Sequence, residues 1–178
     1  KTYEGDLVAI RHDLHEHPEL AFEEVRTSEV VAQKLTEWGF KVHRGLAKTG
    51  VVATMTNGGG NRSIGIRADM DALPIHEETG KGYASKTAGK MHACGHDGHT
   101  TMLLGAARYL AETKNFSGTV HLIFQPAEED IGGARIMMEE GIFKTFPCDA
   151  VFALHNEPGT PVGKLGFRKG RMMAAVDQ

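Results

Sequence analysis

Apolar residues recur at helical spacing near the start of the chain. Leu7, Ile10 and Leu14 fall on one face of residues 6–16, and Pro18 stops the pattern. A second helix is predicted over 24–38, where Val25, Val30, Val31, Leu35 and Trp38 share a face and Gly39 follows as a C-terminal cap. The period then changes. Phe40–His43, Val51–Thr56 and Ser63–Ala68 read as strands, with the turn NGGGN at 57–61 between the last two. A strong helix is predicted over 98–113, with Met102, Leu103, Ala106, Ala107 and Leu110 on one face. Gly118–Gln125 and Asp149–His155 are nearly continuous apolar runs, which predicts strands buried on both faces. A short helix, Gly132–Glu140, lies between them and ends at Gly141. Strands alternating with helices imply an α/β layered domain with helices on both faces of a sheet. There is no internal repeat and no low-complexity linker.

Composition changes this picture little. The 178 residues suffice for one domain, and a chain of ~150 residues buries roughly 70% of its unfolded surface. A net charge of −3 argues against nucleic acid or an anionic membrane as the main partner. No apolar run approaches the ~20 residues of a membrane span, and the mixed, charged opening KTYEGDLVAI has no signal-peptide pattern. The first residue is Lys rather than Met, so residues upstream are expected to have been trimmed or to lie outside this sequence, and a cytoplasmic location is the expectation. Two cysteines, Cys94 and Cys148, allow a single disulfide but not a secreted framework. The glycine run at 58–60 does not read as a phosphate cradle, because no Gly-Lys-Ser/Thr follows it.

The unusual count is ten histidines, three of them in HACGHDGHT at 92–100 beside a cysteine and an aspartate. Ligands of open α/β sheets gather outside the carboxyl ends of the strands. At those ends the sequence delivers Asp69 and Asp71, then Glu128, Glu129 and Asp130, then His155, and the 92–100 stretch opens a helix on the same rim. Each group alone has a bland explanation. Cys148 reads as a small buried hydrophobe. His12, His15 and His17 read as a solvated helix face or its frayed end, and adjacent glutamates as a surface pair. Convergence of four separate segments favours chemistry instead. Mixed Cys, His and carboxylate donors suit zinc, with manganese, cobalt or nickel as alternatives. A closed structural zinc site would leave no spare acids, and here there are spare acids. One of two adjacent glutamates can bind metal while the other moves a proton. Cys94, near a helix start, is expected to ionise easily, and its thiolate can bridge two ions roughly 3.5–4 Å apart that share a hydrolytic water.

RADMDALP (67–74), HACGHDGHT (92–100), FQPAEED with GGA (124–134), ALHNEP (153–158) and the opening RHDLHEHPEL (11–20) together resemble the metal-dependent amidohydrolases of the aminoacylase/carboxypeptidase superfamily. The nearest subgroup is that of hippurate hydrolase, indole-acetyl-amino-acid hydrolase and N-acetyl-diaminopimelate deacetylase. The resemblance implies the catalytic-domain portion of a zinc-exopeptidase-like fold, a three-layer sandwich with a mixed sheet. It implies hydrolysis of the amide bond of N-acyl amino acids at two divalent metal ions. Cys94, His96, Glu129 and His155 would be ligands and Glu128 the general base. Asp71 would orient a ligand, and His99 would pack or make a supporting contact. Asp69 stands where peptidase cousins have a ligand histidine, and is left out of the ligand set. In this family a lid and dimerisation domain is inserted near the position of GRMMAAVDQ, after which the catalytic domain resumes and supplies a last histidine ligand. The chain is thus expected to be the N-terminal portion of a roughly twofold longer, homodimeric or homo-oligomeric enzyme. The rival readings are a dipeptidase or aminopeptidase of the same superfamily, and a non-catalytic metal- or peptide-binding module. RADMD in place of His-x-Asp counts against the first, and an intact PAEE against the second.

Overall fold

Alternation along the strands sorts the interior into two layers. In β4 (Gly118–Gln125), Val120, Leu122 and Phe124 face one side of the sheet and Ile123 the other. In β2 (Gly50–Asn57), Val51, Ala53 and Met55 join the first layer and Val52 the second. The first layer packs on α2 (Val25–Glu37) through Val31 and Leu35, and on α3 (His96–Thr113) through Leu103, Leu104 and Ala107. The second packs on Met137 of α4 (Gly133–Glu139) and Ile142 of α5 (Ile142–Thr145). Helices therefore cover both faces. This computed structural model describes residues 2–129 and 132–171.

The sheet is mixed, with strand order β1-β2-β4-β3-β5. The remaining strands are β1 (Lys41–Leu46), β3 (Ser63–Asp69) and β5 (Ala150–Ala153). β3 runs parallel to both β4 and β5, so Asp69, Gln125 and Ala153 end on one edge. β2 runs antiparallel to both of its neighbours, β1 and β4. The first helix, α1 (Glu4–Glu16), packs on α3. None of the helices among the described residues is long and apolar enough to cross a membrane.

Three expectations need correction. The apolar run Asp149–His155 was expected to form a strand buried on both faces. It forms only Ala150–Ala153, at the sheet edge, with Val151 46%, Phe152 58% and Leu154 59% exposed. Its composition records a hydrophobic environment but not which segment provides it. The strand predicted over 40–43 lies at 41–46 instead. Phe40 is buried after the α2 turn, and β1 is a mostly polar strand with a register shift near Gly45, so it carries no apolar run to mark it. His15 does not lie on a solvated face but is buried at the α1–α3 contact. Nearby, His12 stacks on Tyr83 at 3.8 Å, while His17 remains partly exposed.

Between β3 and α3 the chain runs from 70 to 95 with no helix or strand, apart from the isolated bridge Leu73–Met91. Loops this long in a folded domain are usually functional. The Ala72 N–H donates to the Glu19 carbonyl and the Lys86 N–H to the Glu16 carbonyl, both at 2.8 Å, which holds the loop against the end of α1.

Candidate metal centre

The loop ends by returning HACGHDGHT to the rim where β3, β4 and β5 finish. Gly95 makes the return possible. It caps α3 at φ 92°, in the left-handed region that side chains avoid, and a Cβ there would run into the Asn156 side chain. Cys94 thus hangs just outside the helix, while His96 opens its first turn, fully buried.

Asp71 organises the centre. Its Oδ1 lies 3.2 Å from His96 Nδ1, and its Oδ2 accepts the Glu129 backbone N–H at 3.0 Å. With the proton on Nδ1 facing this carboxylate, His96 Nε2 presents a lone pair. Around Nε2 lie Glu129 Oε1 at 3.6 Å, Asp69 Oδ2 at 3.7 Å and Glu128 Oε2 at 3.9 Å. His96 Nε2 and Glu129 Oε1 are both buried and neither has a hydrogen-bond partner. On the open side, Cys94 Sγ is 3.4 Å from His155 Nε2. His155 Nδ1 donates to the Asn156 carbonyl at 2.6 Å, so its Nε2 also offers a lone pair. Ligand atoms of Cys94, His96 and His155 lie within 4.8 Å of one another, as do those of His96, Glu128 and Glu129 and those of Asp69, His96 and His99.

These residues fit a metal. Bonds of about 2.0–2.3 Å place two donors of one ion roughly 3–4 Å apart. The orphaned pair His96 Nε2 and Glu129 Oε1 meets that spacing, and a buried nitrogen lone pair facing a buried carboxylate oxygen lacks only a cation between them.

The electrostatics agree. Burial raises the Glu128 carboxyl above its usual range and the adjacent Glu129 adds to it. Burial opposes charging of Asp71, but the His96 hydrogen bond and the backbone N–H groups of Glu129 and Glu128 hold its carboxyl low. For His96, burial disfavours the proton and the carboxylates of Asp71, Asp69 and Glu129 overcome it, raising its pKa. The Cys94 thiol is pushed up to about 12, first by burial and then by Glu129, Asp69 and Glu128. This corrects the expectation that Cys94, near a helix start, ionises easily: burial, and after it three carboxylates, hold the thiol protonated. A thiolate here requires cations, which reverse the sign of the local field.

Asp69 and His99 are both occupied elsewhere. Asp69 Oδ1 lies 2.6 Å from His99 Nδ1, and its Oδ2 accepts from Arg67 Nη1 at 2.7 Å. Burial works against Asp69, yet these contacts and His96 bring its pKa down to about 2. His99 Nε2 accepts the Asn156 N–H at 3.1 Å and also touches the Asn156 side-chain oxygen. Arg67 and Asn156 were missed in the sequence. Asn156 could have been suspected from its place beside His155, Arg67 only from the fold. Cys148 is partly buried on another segment, and both cysteines are free. Asp130 lies outside the described residues.

Comparison with known proteins gives one family. The profile of Peptidase family M20/M25/M40 matches residues 65–175. A hippurate hydrolase from Campylobacter jejuni is 52% identical over 174 residues, which are 98% of this chain and 45% of that protein. An N-acetylcysteine deacetylase from Bacillus subtilis is 44% identical over 180 residues, 100% of this chain and 47% of that protein. The crystal structure of the Bacillus subtilis YXEP protein, described as a dinuclear metal binding peptidase from the M20 family, superposes with a TM-score of 0.89 at 44% identity. That superposition covers 94% of this chain and 47% of that one. The chain therefore spans about half the length of the relatives it matches.

Proposed function

The chain belongs to Peptidase family M20/M25/M40, and from that premise we propose that it is the metal-binding part of an amidohydrolase that cleaves N-acyl amino acids. The observation that carries the proposal is the buried, unpartnered pair His96 Nε2 and Glu129 Oε1, 3.6 Å apart, with Cys94 and His155 at the mouth. Relatives named for hippurate and for N-acetylcysteine supply the substrate class. In this reading Cys94, His96, Glu129 and His155 hold two divalent ions, of zinc, manganese, cobalt or nickel. Bound metal supplies a Lewis acid for the amide carbonyl and a water whose pKa falls to about 7.

The chain's own residues do the rest. Asp71 keeps the His96 proton on Nδ1 and fixes the Glu129 backbone. Asp69 and His99 hold Asn156, whose carbonyl takes the His155 Nδ1 proton and aims Nε2 inward. Glu128 is the general base. It reaches the same space as Glu129, its side chain is partly open to solvent, and burial beside another carboxylate raises its proton affinity. Its carboxylate accepts the proton of the attacking water and delivers it to the amide nitrogen as the C–N bond breaks. The products are a free carboxylic acid and an amino acid.

The relatives' greater length supports a longer whole protein; the lid and dimerisation domain, the further histidine ligand and the homodimeric or homo-oligomeric assembly are what the family resemblance implies for it. The test is to assay the full-length protein on hippurate, N-acetyl amino acids and dipeptides before and after chelation. Hydrolysis of the N-acyl substrates, abolished by chelation and restored by divalent metal, is expected. Turnover of dipeptides alone would transfer the site to a dipeptidase, and turnover indifferent to chelation would remove the metal from the mechanism.

A further inference from the structure

We propose that Glu24 is a positioning residue for Glu128 and Glu129, holding from beneath the turn that carries them; the role attached to that pair rests on the amidohydrolase reading above. Glu24 immediately precedes α2 but makes no side-chain cap to the helix. Its carboxylate instead turns inward and is completely buried. Oε2 accepts from Thr49 Oγ1 at 2.6 Å, and Oε1 accepts from the Ala127 backbone N–H at 2.9 Å.

Ala127 is where β4 becomes the catalytic turn. Gln125 ends the strand, Pro126 has no N–H, and Ala127 is buried with φ 50°, a left-handed conformation rare for alanine. Its N–H has left the sheet ladder, and without Glu24 it would be a buried donor with no acceptor. The Ala127 carbonyl accepts the Gly133 N–H at 2.8 Å, so both polar groups of this residue are fixed. Two residues further on, the Glu129 N–H is fixed by Asp71. Glu128 therefore sits between two backbone N–H groups, each held by a buried carboxylate from a different part of the fold. A carboxylate is costly to bury, and burial raises the Glu24 pKa despite its donors. An apolar residue would fill the space at less cost but would leave Ala127 unheld.

The test compares Glu24→Gln, Glu24→Asp and Glu24→Leu in the full-length protein, with Leu35→Ala as a truncation in the α2–α3 core. Three quantities are measured: metal dissociation constants, amide hydrogen exchange at 127–129, and kcat with KM. Glutamine can still accept from Ala127 while its NH2 donates to Thr49 Oγ1, so it should behave like wild type. Leucine orphans the Ala127 N–H, and aspartate is one methylene too short to reach it. Both should speed exchange at 127–129, weaken metal binding about 10- to 100-fold, as loss of partners behind metal ligands does, and lower kcat more than they raise KM. Leu35→Ala should lower the melting temperature without changing metal affinity. If Glu24→Leu fails to fold, Glu24→Asp carries the test. Wild-type exchange and metal affinity in Glu24→Asp and Glu24→Leu would overturn the proposal, as would an equal loss of metal affinity in Leu35→Ala. If the wild-type protein neither binds metal nor cleaves N-acyl amino acids, the amidohydrolase reading falls. Exchange at 127–129 then still decides whether Glu24 holds the turn.

Discussion

Asp97 Oδ2 lies 2.9 Å from His15 Nδ1, which ties the first turn of α3 to α1 one residue after His96. Arg11 Nε donates to the same oxygen at 3.1 Å, and His15 Nε2 lies 3.2 Å from Glu77 Oε1 in the long loop. One buried imidazole thus clamps the element that presents Cys94 and His96 to both α1 and the long loop.

The clamp should titrate. The Asp97 hydrogen bond, with help from Glu77, raises the His15 pKa above 6.5 against the effect of burial. Asp97 lies below 3.8, because His15 and its other cationic neighbours overcome its burial. A histidine raised in the folded state contributes fully below pH 6.5 and loses its contribution as pH rises through the folded value. The lowered Asp97 contributes above pH 3.8 and loses its contribution as pH falls. His92 has the opposite sign to His15: burial lowers it to about 4, which removes stability as pH falls from 6.5. Comparing His15→Gln with wild type at each pH isolates the clamp. Denaturant titrations should show a loss of roughly 1.5–3 kcal/mol near pH 6, shrinking toward pH 9. A gap of the same size at both would mean that His15 is not charged in the folded protein.

Gly95→Ala should damage the site through the backbone. The left-handed conformation costs a side chain roughly 1–2 kcal/mol, and the new Cβ would displace Asn156 and with it His155. Metal affinity of the full-length variant should fall along with its melting temperature. Unchanged metal affinity would show that the Cys94–His96 turn tolerates another path.

Much of this site could be read from the sequence, because its polar residues break otherwise regular patterns. Asp71, Glu128, Glu129 and His155 follow strands whose apolar runs are plain, and Cys94 and His96 stand at the start of a strongly periodic helix. The structure gathers all of them on one rim. What could not be read was support from a distance. His15 and Glu24 sit on or beside amphipathic helices, where a polar residue ordinarily means solvent, and only the packing of α1 on α3 and of α2 on the sheet buries them. Arg67 interrupts a strand as any exposed cation would. The sequence pattern starts β1 one residue early and ends it three residues short, because the strand is mostly polar and shifts register near Gly45.

The β5 edge should be adhesive when the 178-residue chain is produced alone. Val151 and Phe152 are exposed on a strand paired on one side by β3, Leu154 is exposed just beyond its end, and an open apolar edge recruits further strands. Sedimentation should find concentration-dependent association, reduced by Phe152→Lys. A wild-type chain that remains monomeric at high concentration would mean that this edge is protected in solution.

The central claim, that adjacent glutamates divide metal binding from proton transfer, is tested most directly by measuring bound metal and kcat side by side in full-length Glu128→Gln and Glu129→Gln. Glu129 Oε1 is the buried, unpartnered oxygen facing His96 Nε2, while Glu128 lies beside it, partly open to solvent. Glu128→Gln should keep its metal and lose about 10²- to 10⁴-fold in kcat, the usual cost of removing a general base. Glu129→Gln should lose metal first and activity as a consequence. Metal loss from Glu128→Gln with retention in Glu129→Gln would reverse the two roles, and near-normal turnover in both would contradict the mechanism itself.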